Sequence, residues 1–83
     1  MKRTSQEYGQ SIKDMVDTAI RLGKTTVNLP LRSDGIKLQK EFYGLRNAYW
    51  EEGNEVKHAE LLKITTGLKP DGVKVKVVFT YHK

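Results

Sequence analysis

From Val73 to Tyr81 the chain alternates: Val73, Val75, Val77, Phe79 and Tyr81 interleave with Lys74, Lys76, Val78, Thr80 and His82. A period of two places the first set on one face of a β-strand and the second on the other. Such a strand has to bury its apolar side, so the rest of the fold must supply a layer to cover it. Just before it stands Lys69-Pro70-Asp71-Gly72. Pro presets φ, Asp bonds nearby backbone and Gly accepts a left-handed conformation, so this is the expected turn of a β-hairpin whose first arm starts near Leu61.

The covering layer is legible upstream. From Ser5 to Leu22, Tyr8, Ile12, Met15, Val16, Ala19 and Ile20 recur at helical spacing, with Gly9 as the weak point and the residue after it as an alternative start, and with Gly23 as the stop. Lys24 to Leu31 returns to a period of two, with Thr25, Val27, Leu29 and Leu31 on one side. Pro30 confines that strand to a sheet edge or ends its pairing. Ser33 and Asp34 suit a helix cap, and the helix they open carries two stripes, Leu38, Phe42, Leu45 and Tyr49 beside Ile36, Tyr43 and Trp50. Gly53-Asn54 ends it, and Glu55 to Leu62 reads as a short helix or irregular link.

The expected fold is therefore α+β, one domain spanning residues 1–83 with residues 1–4 and 82–83 fraying. Its sheet has three antiparallel or mixed strands with helices on one face, and Val27, Leu29, Ile64, Val75, Val77 and Phe79 point inward. The element order is similar to that of winged-helix proteins, in which the final hairpin forms the wing.

The 83 residues hold no cysteine, which removes disulfides, thiolate metal sites and a thiol nucleophile and fits a reducing, cytoplasmic setting. No stretch is apolar enough for a membrane span or a secretory signal. Gly23-Lys24-Thr25-Thr26 resembles the end of a phosphate-binding loop, but Thr18 stands where the first glycine belongs and a strand follows instead of a helix. Glu51, Glu55, His58 and Glu60 make a poor metal site, because Gly53-Asn54 interrupts the helix that would align them. With no paired acid and base and no nucleophile motif, the chain is expected to be noncatalytic, with no cofactor and no metal.

Charge points to binding. Fifteen Lys and Arg against ten Asp and Glu give +5. Residues 1–32 hold six bases and three acids, residues 33–60 four and six, and residues 61–83 five and one, so the excess lies in the first third and the hairpin. Alternation gathers Lys24, Lys63, Lys69, Lys74 and Lys76 on the outer face of the sheet, where they suit phosphate oxygens. The first expectation is thus a small DNA- or RNA-binding protein or transcriptional accessory factor. Arg46 and Asn47 on the second helix carry base-reading chemistry, whereas Phe79 and Tyr81 face inward and leave no stacking platform among the lysines.

The rival expectation is a protein-interaction module, a compact inhibitor or adaptor, using Tyr43, Arg46 and Trp50 or an open sheet edge. A small domain needs large side chains for its core, so both stripes are first assigned to the interior. Exposure of Tyr43 and Trp50 would instead put a protein target or a homodimer in the lead.

Overall fold

The structure, a computed structural model, describes residues 4–83. It consists of a 3-10 turn, Ser5–Glu7, followed by α1 (Gln10–Leu22), β1 (Lys24–Leu29), α2 (Arg32–Glu51), α3 (Glu55–Leu62), β2 (Ile64–Asp71) and β3 (Lys74–Tyr81). The three strands form one antiparallel sheet in the order β1-β3-β2, so the strongly alternating strand is the central one. The shortest dimension is 16 Å, that of one helical layer on one sheet.

Pairing carries the alternation of β3 into both neighbours. Val75, Val77 and Phe79 sit opposite Leu29, Val27 and Thr25 on one side and Pro70, Leu68 and Thr66 on the other. All these side chains share the face that α1, α2 and α3 cover. Ile12, Val16, Ala19, Phe42, Leu45 and Leu61 from the helices close on Ile64, Val77 and Phe79. The Phe42 and Phe79 rings meet at 5.4 Å between centroids. Full burial of each large side chain contributes about 1.5–3 kcal/mol. Gly35 lets α2 settle onto this face, because a Cβ there would press on Leu68, Val75 and Val77.

The local starts and stops differ from expectation in three places, while the N-terminal helix takes its alternative start after Gly9. The N-terminal helix begins at Gln10, since Tyr8 and Gly9 are extended and separate it from the 3-10 turn. The second helix begins at Arg32 with Leu31 as its flanking residue and no side-chain cap. Ser33 and Asp34 therefore lie inside its first turn, where the Asp34 charge favours the helix dipole. Leu61 belongs to α3 and the strand starts at Ile64; Asn54 caps α3 by accepting the Lys57 N–H at 3.2 Å, and Leu61 is buried on the helical side. The hairpin turn is Gly72-Val73, with Asp71 paired to Lys74.

That last difference has a clear cause. Tyr81 donates its N–H to Gly23 and His82 donates its N–H to Lys63. In an antiparallel ladder this phase makes Thr65, Gly67, Lys69 and Asp71 the residues of β2 bonded to β3, and it turns Thr66, Leu68 and Pro70 to the free edge. Pro70 thus continues the strand at a position where no N–H is needed. Gly72 takes φ 65°, as a two-residue hairpin turn requires. Val73, expected on the inner face, is 90% exposed in that turn. Pro30 behaves as expected, since β1 is an edge strand and ends at Leu29.

The fraying expected of residues 1–3 lies outside the described residues. Thr4 accepts a backbone bond from Glu7, and His82 is held by Lys63 and by Thr65 Oγ1 at 2.9 Å from its Nε2. Ser5 is buried, and its N–H and hydroxyl donate to the two carboxylate oxygens of Glu52 at 2.9 and 2.7 Å, tying the chain start to the end of α2. The Ser5 hydroxyl, then its backbone N–H, hold the Glu52 carboxyl below the usual glutamate value, aided by the Lys13 charge and opposed by desolvation. A lowered folded-state value stabilises the fold in full above the unfolded value and loses that contribution as pH falls through the folded one. Acidification below roughly pH 4.3 should therefore lower the unfolding midpoint. In an NMR carboxyl titration, Ser5→Ala should return Glu52 towards the ordinary glutamate value.

Candidate functional site

Two surfaces carry the residues singled out by the sequence, and they lie on opposite layers. The first is the uncovered face of the sheet. Lys24, Thr80 and Thr65 form one cross-strand row, Thr26, Val78 and Gly67 the next, and Asn28, Lys76 and Lys69 the third, with Lys74 opposite Asp71 beyond them. Lys24, Lys69, Lys74 and Lys76 therefore share this face, and Lys63 stands exposed at the α3–β2 junction beside it. Asp71 is the only acid in the three strands, and its carboxylate lies 3.8 Å from Lys76 Nζ. Both groups are about half exposed, so the pair contributes little and leaves the face basic. The other nine acidic residues belong to the helices, the 3-10 turn and the end of α2. Phe79 is buried and Tyr81 packs against the core, so the open face has no aromatic platform.

The second surface is the outward side of α2. Residues seven apart on a helix lie almost above one another, and Ile36, Tyr43 and Trp50 form such a line. The assignment of both stripes to the interior is corrected here: Phe42 is fully buried, while Tyr43 is 44% and Trp50 57% exposed. One helix cannot bury a face this broad against a three-stranded sheet. Phe42 and Leu45 fill the space over Val77 and Phe79, and the second line is left at the flank.

These side chains are held in place. Tyr43 Oη and Thr66 Oγ1 are hydrogen bonded at 2.9 Å, and Gln39 Nε2 donates to the same hydroxyl at 3.1 Å. The Arg46 guanidinium lies 5.0 Å from the Tyr43 ring centroid, a cation–π arrangement. Trp50 meets the His58 ring at 4.9 Å between centroids with 47° between planes. Ordering such groups before a partner arrives lowers the entropy lost on binding.

Arg46 and Asn47 belong to this second surface, Asn47 facing solvent, so the structure does not join them to the sheet lysines. The roles of His58 and Thr66 were not visible in the sequence. Trp50 and His58 lie on different helices, and Thr66 meets Tyr43 only through the seating of α2 on β2. Of the acidic group, Glu60 lies 3.9 Å from Lys57 Nζ and His58 packs on Trp50. Gly23 takes φ 85° and closes α1 through its N–H to Ala19, a helix-ending role.

Exposure separates neighbours on α2 energetically. Phe42→Ala should cost about 3–5 kcal/mol, a large share of the stability of a domain this size. Trp50→Ala should lower the unfolding free energy, from urea denaturation followed by circular dichroism, by only about 1 kcal/mol. No family model, curated protein or solved structure matches the chain.

Proposed function

We propose that the chain is a noncatalytic protein-interaction module, an inhibitor or adaptor in kind, that docks through the outward stripe of α2. The observation that carries this reading is the exposure of Tyr43 and Trp50 in a domain whose core has many uses for large side chains. Aromatic side chains with an adjacent arginine are the residues in which interface energy concentrates. Tyr43 and Trp50 supply apolar area, and Arg46 a charge already stacked on Tyr43.

A second reading is supported by a separate observation, the four sheet lysines facing one acid. In this reading the open face holds nucleic acid through phosphates alone, DNA or RNA without base recognition, because Arg46 and Asn47 lie on the other layer. The separation of the surfaces makes the two readings experimentally independent.

Crosslinked partners recovered from cells should be lost with Trp50→Ala and kept with a Lys74→Glu, Lys76→Glu double variant. Affinity for an isolated partner should fall by about 2 kcal/mol, roughly thirtyfold, in the Trp50 variant. Unchanged capture by the folded Trp50 variant would remove the docking reading. Binding to short DNA duplexes is the counterpart for the lysine face. Contact with about four phosphates requires a log–log salt slope of roughly −3 to −4 and abolition by the lysine double variant.

A further inference from the structure

We propose that the free edge of β2 and the outward stripe of α2 form one groove, which takes an acidic, extended segment of a partner protein as a fourth strand. The inference rests on the reading of the α2 stripe as a docking surface and adds to it the binding mode and the chemistry of the partner.

The edge is the starting point. Among the described residues β2 has one strand neighbour, β3. The hydrogen-bonding phase set by Tyr81 and His82 turns the N–H and C=O groups of Thr66 and Leu68 away from it, and adds the carbonyl of Pro70. A strand laid there gains main-chain bonds without any change in the sheet. Its inward side chains then extend the inner face of the sheet sideways, under the flank of α2. That flank is where Tyr43 reaches down to Thr66, and Ile36 and Trp50 continue the line about two turns to either side. At the hairpin end, Arg32, Leu68, Pro70 and Val75 line a cavity of about 170 Å³, large enough for one aliphatic side chain. Among the described residues the exposed aromatic side chains are Tyr43 and Trp50, both on α2, and neither borders the free edge of β1.

Charge selects the occupant. Arg32, Lys40 and Arg46 border the stripe from α2, and Lys69 projects from β2 on the outer side. Acidic side chains near this flank sit at its ends: Glu51 and Glu55 beyond Trp50, and Asp71 beside Lys76. A second copy of the chain would bring these bases towards their own duplicates, and lysine on an edge strand is a recognised block to self-pairing. A partner segment alternating apolar and acidic residues satisfies both sides of the groove, its apolar residues facing α2 and its acids facing Lys69 and the neighbouring outer-face lysines Lys63 and Lys76, while the bases on α2 add to the attraction for an acidic segment.

The test is an NMR titration of the intact chain with a blocked decapeptide alternating valine and glutamate, with the valine–lysine counterpart as control. The proposal predicts that the Thr66 and Leu68 amides shift and become protected from exchange. It also predicts that the lysine peptide binds about tenfold more weakly, the effect of roughly three exposed ion pairs. Shifts confined to the Tyr43 and Trp50 side chains would overturn strand addition while leaving the stripe as a docking site. Silence at all four residues, or equal binding of the two peptides, would overturn the acidic fourth strand. The docking reading would then stand or fall on the Trp50→Ala capture experiment alone. Shifts at Thr66 and Leu68 that depend on protein concentration without peptide would assign the edge to a second copy and overturn the proposal.

Discussion

The inward face of β3 is the constraint on which the rest of the structure depends. Val75, Val77 and Phe79 lie in the central strand, so each has a paired neighbour on both sides and must be covered from one direction. Pairing transmits their phase to β1 and β2, and the helices are drawn to that face because burial there offers the largest apolar gain. Everything placed on the other side of the sheet is thereby left open. The lysine face is a consequence of this single alternation, as is the direction in which the backbone groups of β2 point.

The same constraint explains how much of the fold is legible in the sequence. The alternation of residues 73–81 gave the inward set correctly apart from Val73, and it gave four sheet lysines a common face. The break at Gly9 and the stop at Gly23 followed from glycine chemistry. What escaped was decided by competition between signals. Pro70-Asp71-Gly72 has the composition of a turn, yet the ladder phase leaves Pro70 without a donor to lose, so the strand runs on and Gly72-Val73 makes the corner. Leu61 fits a strand or a helix equally by spacing, and the Asn54 cap tips it into α3.

The candidate surfaces show the same division. Which residues share a stripe on α2 is a matter of spacing and was legible. Which of the two stripes is buried depends on the width of the sheet beneath, and no local pattern contains that. Tyr43 could equally have been core. Its exposure follows from Phe42 and Leu45 already occupying the ground over Val77 and Phe79. The partners that steady the stripe, Thr66 and His58, come from other elements and become neighbours only through tertiary packing.

Among the described residues, a fixed aromatic line therefore stands beside an unpaired strand edge, both set by the phase of β3. Amide hydrogen exchange along β2 in the free chain tests this most directly, because alternate residues of one strand must behave oppositely. Gly67 and Lys69, bonded to β3, should exchange slowly, while Thr66 and Leu68, which alternate with them, should exchange at rates near those of exposed backbone. Uniform protection along β2, or protection of Thr66 and Leu68 in place of Gly67 and Lys69, would contradict it.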